Sequence, residues 1–594
     1  MSEIKAIRTD DGGIEVTAAG YRLTVAPDGV GARLATGPGY PLDLQLPGAL
    51  DRTDARDETL SVDPPRLAEG PVPRITITRR STAWSAAETR IDCTPEGPEF
   101  TWSVTGSGRL DEASLLALRS ALPGRGTGLR PSGHDWRTLF TPNPGPPRRL
   151  LRGAGGSAVI GASGDARPGR GHWFFTPAPL CFALTTEAYP DEADPGTATD
   201  ADWLTLGLGA PVRDLTFTEA AYVPSDQGFH LRLSYEGHTP VDGTYRTPAL
   251  LLAPGHPDPY TGLRAHRAWL EANGWAPPAD RADAAPAWWT EPMFCGWGAQ
   301  MARARDTGRP APALSTQQEY DAHLGHLERH GLVPGTVVID DKWQESYGTW
   351  HPDRAKWPDL PGWIGDRHER GQKVLLWWRA WSTEGVPDEW CVRTPDGHPV
   401  AIDPTHPKAR DLLADSVAGM LAPGGLDADG LKIDFTADTP SGHNLAAHGP
   451  GWGIALLYDL LAVIHAAAKA AKPDALVITH TPHPAFAGVT DMIRLNDMLR
   501  LDDPDPYAPV IPQMRYRAAV TAASCPQLPV DTDDWCTPDR EQWRAYAAMK
   551  TGLGVPALYH STHLDRTGEP LDDDDYAALR LQWAHWRAGG EKTG

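Results

Sequence analysis

The chain has 594 residues, 22% of them charged, and a formal net charge of -22. A chain this long exceeds one ordinary hydrophobic core, so two or more domains are expected. The negative charge disfavours nucleic acid and anionic membranes as partners. The first residues lack a hydrophobic signal core, and the apolar segment from Leu456 to Ala471 falls short of a bilayer span, so we expect a cytoplasmic protein.

The cysteines are scattered, with no CxxC pair and no histidine at ligand spacing. This pattern disfavours a zinc site or a disulfide framework and predicts reduced, mostly buried thiols. No cofactor or metal is expected. The six residues are Cys93, Cys181, Cys295, Cys391, Cys525 and Cys536.

The first 255 residues alternate apolar and polar side chains in short runs, such as RITITRR at 74–80 and FHLRLSY at 229–235. Gly, Pro and Asp separate these runs, which is typical of an antiparallel β-sandwich. Residues 257–275 predict a connecting helix, and PPADRADAAP at 277–286 predicts a linker. We therefore predict a sandwich domain at 1–255, a helical linker at 256–286 and a second domain at 287–594.

The second domain repeats a strand, a loop and a helix. Eight such units predict a closed (β/α)8 TIM barrel, an α/β domain after an all-β one. No GxGxxG or Walker-type loop follows any strand, which disfavours nucleotide binding. The predicted strands are 292–297, 336–340, 373–378, 430–435, 475–480, 492–496, 527–531 and 555–560.

Catalytic groups of such barrels lie at the carboxyl ends of the strands. The second strand ends with Asp340, Asp341 and Trp343, and two adjacent carboxylates there can bind vicinal sugar hydroxyls. The third ends with Trp377, Trp378, Arg379 and Trp381. The indole rings would form a wall of the pocket, and Arg379 could bind an anionic group or hold a catalytic carboxylate ionised. Loop capping by the aspartates and a structural ion pair of Arg379 are the alternatives.

The fourth strand, within DGLKIDFTAD at 429–438, places Lys432 and Asp434 on one face of an apolar run. Alternate side chains of a barrel strand point inward, so both charges are expected in the lumen. Asp434, held ionised by Lys432, would make a nucleophile. A purely structural ion pair is the alternative.

The sixth strand ends MIRLND, with Arg494 inside and Asp497 at the mouth. A retaining glycosidase needs a second carboxyl group, first as acid and then as base, and Asp497 is the candidate. Asp502 and Asp503, which follow shortly after, are the fallback candidates for the acid/base role if the strand ends elsewhere.

Further polar groups follow the remaining strands, and tryptophan is frequent in this half of the chain. Indole rings such as that of Trp297 suit the apolar faces of sugars, although core packing explains many of them. The polar groups could line a sugar subsite or cap helices and loops. They are His480, His483, Asp531, Asp533, Asp534 and His560.

In their order and spacing, five segments resemble glycoside hydrolase family 36, the α-galactosidases and raffinose-synthase-like enzymes, and more distantly family 31. The resemblance implies a nucleophile at Asp434, an acid/base at Asp497, a ring-hydroxyl contact at Lys432, and ligands for the outer hydroxyls of a galactose-like sugar at Asp340 and Asp341. The segments are VVIDDKWQ, WPDLPGWIGDRHERGQKVLLWW, AIDPTHPKARDLL, GLKIDF and IRLND.

The chain departs from the family at several positions. Arg379 and Ala380 stand where the family commonly continues toward Pro-Glu, Phe435 and Thr436 follow the predicted nucleophile, and Asn496 precedes the predicted acid/base. Because the chain ends soon after the last predicted barrel helix, we expect the C-terminal β-domain usual in such enzymes to be absent or much reduced. These differences leave the sugar open.

We therefore expect a retaining α-glycoside hydrolase, most similar to α-galactosidases, that acts on a small α-glycoside or oligosaccharide. A homo-oligomer is compatible with the sequence. The alternatives are a transglycosylase, a non-catalytic carbohydrate-binding protein, and a metal-dependent hydrolase that uses His480, His483 and His560.

Overall fold

The computed structural model describes most of the chain in two parts, antiparallel sheets followed by a parallel barrel. The described residues are 4–36, 41–122, 128–133, 138–142, 158–163, 175–186, 202–225, 228–279, 285–498 and 510–589, with the backbone of 148–149.

The first part contains a five-stranded antiparallel sheet, β1 to β5 in chain order, and a larger antiparallel sheet that runs β15-β14-β17-β18-β21-β11-β10-β9-β7. Successive side chains of a strand point to opposite faces of the sheet. In the strand Arg74–Ser81, Ile75 and Ile77 are therefore buried, whereas Thr76 and Thr78 are half-buried. The strands are β1 (Lys5–Arg8), β2 (Ile14–Thr17), β3 (Arg22–Val25), β4 (Gly31–Ala35), β5 (Leu42–Gln45), β6 (Ala49–Arg52), β7 (Thr59–Val62), β8 (Arg66–Ala68), β9 (Arg74–Ser81), β10 (Ala86–Cys93), β11 (Pro98–Leu115), β12 (Ala117–Arg119), β13 (Leu129–Pro131), β14 (Thr138–Phe140), β15 (Arg148–Arg149), β16 (Ala158–Gly161), β17 (Cys181–Thr185), β18 (Trp203–Gly209), β19 (Glu219–Ser225), β20 (Gly228–Arg246) and β21 (Ala249–His256).

The second part is an eight-stranded parallel barrel in the order β30-β29-β28-β27-β24-β23-β22-β31, closed by a parallel bridge between Asp531 and Val555. The predicted sandwich and TIM barrel are confirmed. The elements are α1 (Pro259–Ala272), β22 (Met293–Cys295), α2 (Trp297–Thr307), α3 (Gln317–Arg329), β23 (Thr336–Ile339), α4 (Leu360–Glu369), β24 (Lys373–Arg379), β25 (Cys391–Arg393), β26 (Pro399–Ile402), α5 (Pro407–Leu421), β27 (Gly430–Asp434), α6 (Gly453–Ala471), β28 (Leu476–Thr479), β29 (Met492–Arg494), α7 (Val510–Ser524), β30 (Val530–Asp531), α8 (Arg540–Leu553), β31 (Ala557–Leu558) and α9 (Asp573–Arg587).

Helix α1 is the predicted connecting helix. Asp258 caps it by accepting a hydrogen bond from the backbone N–H of Thr261, and the helix packs against both β18 and α7. The domain boundaries remain a prediction, and residues 280–284 of the predicted linker lie outside the described residues.

Successive side chains of each barrel strand point alternately into the barrel and toward the surrounding helices. Val338, Leu375 and Ile478 belong to the cluster that fills the barrel, whereas Ile433 and Trp378 belong to the core between the strands and the helices. Lys432 pairs in register with Ile478, so its side chain points into the barrel, as the sequence predicts.

Helix α6 differs from the sequence expectation. By length and composition its 19 residues could cross a membrane, and half of its most apolar stretch is buried inside the protein. It connects β27 to β28 and packs against α5. This packing explains its apolar composition, because a crossover helix buries one face on the barrel and another on its neighbours.

All six cysteines are buried and free, as predicted. The cytoplasmic location remains a prediction.

Candidate active site

Asp434 ends β27 at the open end of the barrel, and its side chain is 26% exposed. Its Oδ1 accepts hydrogen bonds from Arg494 Nη2 at 2.9 Å and from the Phe435 backbone N–H at 3.0 Å. Its Oδ2 accepts one from Trp377 Nε1 at 3.2 Å. Three N–H donors therefore fix this carboxylate.

The same surroundings keep Asp434 ionised. Burial alone would raise the pKa of Asp434, but the charges of Arg494, Lys432 and His480 and the Phe435 N–H hold it below its ordinary value. A carboxylate that is deprotonated, fixed and partly exposed has the properties of a nucleophile.

Arg494 connects the two predicted catalytic carboxylates. It is buried at the end of β29, with Nη2 on Asp434 and Nη1 on Asp497 Oδ1 at 3.1 Å. Nη1 also donates to Asp533 Oδ2 at 2.8 Å. One guanidinium therefore holds Asp434 and the 28% exposed Asp497 at the same end of the barrel.

Arg517, on α7, fixes the turn that carries Asp497. Its Nη1 donates to the carbonyls of Leu495, Asn496 and Asp497 at 2.7–2.8 Å. Asn496 has a φ of 68°, in the left-handed region that asparagine tolerates. Burial lowers the pKa of Arg517 to about 9. Asp502 and Asp503, the fallback residues, lie outside the described residues.

Lys432 pairs across the barrel with Asp340, not directly with Asp434. Its Nζ lies 2.7 Å from Asp340 Oδ2, and both side chains are buried. The Cys295 thiol donates to the same oxygen at 3.1 Å, and Asp340 Oδ1 accepts the Asp341 N–H. Burial opposes the charge on Lys432, but Asp340 raises its pKa above the ordinary value. The charge of Lys432 does help to keep Asp434 ionised, as the sequence predicts, but Arg494 contributes more and is the cation in direct contact with Asp434.

Asp341 is the half-buried member of the aspartate pair. Its Oδ1 accepts a hydrogen bond from the Tyr347 hydroxyl at 2.7 Å. Burial, assisted by the charges of Asp340 and Asp434, raises the pKa of Asp341 to about 6, although Tyr347 and Arg379 oppose the shift. Asp341 is therefore better placed than Asp340 to meet a sugar hydroxyl.

Arg379 lies at the rim between two aromatic rings. Its Cζ is 4.5 Å from the ring centre of Phe435 and 5.3 Å from that of Tyr347. It pairs in register with Asp434, and its Nη2 makes a long contact of 3.5 Å with Asp438. Its side chain is 36% exposed.

The sandwich part contacts the strand ends behind Asp434. The Thr176 backbone N–H donates to the His480 carbonyl at 3.0 Å, and the Thr176 hydroxyl contacts that of Thr436. The Thr436 hydroxyl in turn lies 2.6 Å from His480 Nε2. The antiparallel domain and the barrel therefore share one hydrogen-bond network at this site.

A second contact fixes the loop after Asp434. Glu236, on β20, accepts hydrogen bonds from Ser441 Oγ, the Gly442 N–H and Trp452 Nε1 at 2.5–3.2 Å. The His238 ring stacks on Trp452 with ring centres 3.5 Å apart. The sandwich thereby anchors the far end of the loop that begins at Phe435.

Four residues that were predicted to contact a sugar are buried within the protein, and these predictions are corrected. Trp343 is fully buried and donates its indole N–H to the Trp377 carbonyl. Trp378 faces the helices, since it pairs in register with Ile433. Asp533 is fully buried on Arg494, and His480 is buried behind Thr436.

Trp297, at the first position of α2, is half-buried with its ring centre 5.8 Å from that of Trp535, and its sugar contact remains a prediction. Arg494, predicted to bind substrate, is instead buried among three carboxylates. Asp340 likewise has both oxygens engaged within the protein.

The remaining predicted polar residues take part in separate interactions. His483 caps a short 3-10 helix through its Nδ1, and burial lowers its pKa to about 3. His560 donates toward Asp565 at 2.9 Å, and Asp534 and Asp565 raise its pKa to about 9 against the effect of burial. Within the described ranges, no group of three or more His, Cys, Asp or Glu could hold a metal.

Asp531 and Asp534 are also buried. Burial and the neighbouring Asp533 raise the pKa of Asp531 to about 6. Asp534 forms an ion pair with Lys550 at 2.8 Å. Asp534 therefore belongs to a structural cluster and not to the exposed site.

The sequence places both Trp377 and Trp378 in the aromatic wall, and the structure brings only Trp377 to Asp434. Trp377 shares the face of Arg379, because side chains alternate along a strand. Tyr347 and Phe435 were not predicted as site residues. Tyr347 lies in a loop, where no periodicity reveals its direction.

Comparison with protein-family models and with curated proteins finds no match. Among solved structures, the α-galactosidase from Lactobacillus brevis is similar over 99% of this chain and 83% of its own, with a TM-score of 0.53 and 12% identity. A family 31 sulfoquinovosidase from E. rectale, bound to an aza-sugar inhibitor, is similar over 98% of this chain and 82% of its own, with a TM-score of 0.58 and 11% identity.

The likeness establishes the fold. The resemblance inferred from the motifs is thereby confirmed at the level of architecture, with α-galactosidases and family 31 enzymes as structural neighbours.

Proposed function

We propose that the protein is a retaining α-glycosidase that acts on a galactose-like sugar. The observation that carries the proposal is the arrangement around Arg494, which holds a deprotonated Asp434 and a second exposed carboxylate, Asp497, at the strand ends. The fold shared with an α-galactosidase and a sulfoquinovosidase supports a role on α-glycosides.

In the first step, Asp434 attacks the anomeric carbon while a protonated Asp497 gives its proton to the departing glycosidic oxygen. The product is a covalent glycosyl ester on Asp434. In the second step, Asp497 removes a proton from water, which attacks the same carbon and releases Asp434. Two inversions give net retention of configuration.

Arg494 helps to position Asp497 for both steps, because its Nη1 donates to Asp497 Oδ1 at 3.1 Å. The rigid hydrogen bonds of Arg517 to residues 495–497 hold Asp497 in place for both steps.

A panel of aryl α-glycosides tests the proposal: galactoside, glucoside, xyloside, N-acetylgalactosaminide and uronide, each with its β-anomer. We expect cleavage of an α-glycoside, the galactoside first, and none of the β-anomers. Cleavage of β-anomers alone, or binding of sugars without any cleavage, would contradict it.

Replacement of the acid/base residue should have an effect that depends on the leaving group. For Asp497→Ala we expect kcat/KM on a phenyl α-glycoside to fall by about 10²–10⁴-fold, because the unassisted phenoxide leaves poorly. The dinitrophenyl α-glycoside should lose far less. The measurement is a plot of log kcat/KM against leaving-group acidity, steeper in the variant than in the wild type.

Asp366→Ala, an exposed position on α4, is the matched control and should keep the wild-type slope. Equal losses on both substrates would remove Asp497 from the acid role.

A further inference from the structure

Phe435 has an unusual combination of properties. It is 39% exposed, and it is the one aromatic residue among the exposed large hydrophobic residues of the described chain. Its φ is 59°, in the left-handed region. A bulky side chain rarely adopts this conformation, and such strain persists where the surrounding structure enforces it, often at functional sites.

The ring is held in place from within the barrel. Arg379 lies over the ring, and Trp377 meets it edge-on with centroids 6.2 Å apart. Arg379 is itself held against Tyr347, and the Phe435 N–H is bonded to Asp434. The exposed part of the ring is therefore fixed relative to the predicted nucleophile.

The position along the strand indicates which part of a substrate the ring meets. Lys432 lies two positions before Asp434 on the same strand and forms a buried ion pair with Asp340. Packed apolar side chains fill the barrel beneath this pair. The reacting sugar must therefore lie at the level of Asp434. The rest of the substrate extends outward, where Phe435 is the next residue beyond Asp434.

We propose that Phe435, supported by Arg379, is a stacking platform for the leaving group, and that it selects leaving groups with a flat apolar ring face. Aryl groups and pyranose rings share this chemistry. The inference rests on the proposed function, because a leaving group exists only if a glycoside is cleaved.

The test compares three α-glycosides of the sugar that the panel identifies: an aryl glycoside, a disaccharide and the glycosyl fluoride, whose leaving group has no ring. For Phe435→Leu, which keeps apolar volume but loses the flat face, we expect kcat/KM on a ring leaving group to fall about 3- to 10-fold relative to the fluoride. Phe435→Tyr should keep the wild-type ratio. A lowered ratio for the aryl glycoside alone or for the disaccharide alone identifies which ring the platform takes.

An exposed control position is Val400 on β26, and Val400→Ala should keep the wild-type ratio. The inference is overturned if Phe435→Leu lowers activity on the fluoride as much as on both ring substrates, or if neither ratio changes. Turnover of the fluoride shows in each case that the variant is folded. If the wild type cleaves no α-glycoside, including the fluoride, the proposed function itself fails.

Discussion

Replacing Asp434 by alanine is expected to lower kcat/KM on the best aryl α-glycoside by at least about 10⁴-fold. The variant lacks the carboxylate that attacks the anomeric carbon, so no glycosyl ester forms. Azide should restore turnover, because a small anion can occupy the space of the lost carboxylate. The measurement is the initial rate with and without azide, with the product identified by NMR.

The rescued product should be the β-glycosyl azide, since azide would attack from the side that Asp434 occupies. Asp415→Ala, an exposed aspartate on α5, is the control and should keep wild-type activity. An Asp434→Ala variant that remains active without azide, or that yields the α-azide, would show that another group is the nucleophile.

Replacing Arg494 by methionine is expected to lower both activity and stability. The fully buried Asp533 and the predicted catalytic Asp434 would lose their cation, and breaking a buried ion pair costs about 3–5 kcal/mol. The loss should appear at neutral pH as a lower free energy of unfolding in urea. Activity should fall with it, because Arg494 positions both predicted catalytic carboxylates.

The pH dependence follows from the direction of the Asp434 shift. Arg494 lowers the pKa of Asp434 in the folded chain, so the ionised carboxylate contributes stability above the unfolded pKa of about 3.9. That contribution is lost as the pH falls through the lowered folded value. The stability difference between wild type and Arg494→Met should therefore shrink below about pH 4.

An exposed ion pair provides the control for Arg494. Arg370 lies 3.1 Å from Glu328, and the two side chains are 54% and 39% exposed. Arg370→Met should cost at most about 1 kcal/mol, since exposed ion pairs contribute little. If Arg494→Met is as stable as this control at neutral pH, the three carboxylates do not depend on that guanidinium.

The local sequence pattern was sufficient to predict the barrel and the direction in which the side chains of Lys432 and Asp434 point. A period of two assigns every side chain of a strand to one face, so two charges in an apolar run had to share the lumen. The same rule places Trp377 with Arg379 and Trp378 on the opposite face. The prediction that both tryptophans line the pocket is therefore right for Trp377 and wrong for Trp378, which pairs in register with the outward-facing Ile433.

Partners from other strands could not be predicted in this way. Lys432 is 92 residues from Asp340, and Arg494 is 60 residues from Asp434. Which opposite charges meet depends on barrel closure and side-chain length, neither of which a single strand encodes. The contact of Thr176 with Thr436, across 260 residues, depends on how two domains pack and has no local signal.

The anomer that the wild-type enzyme releases first distinguishes a double displacement from a single one. The substrate is the aryl α-glycoside that the panel identifies, and proton NMR in D₂O follows the anomeric signals during the first minutes, before mutarotation. A double displacement through Asp434 predicts that the α-anomer of the free sugar appears first. Initial release of the β-anomer would show a single inversion and would contradict the roles proposed for Asp434 and Asp497.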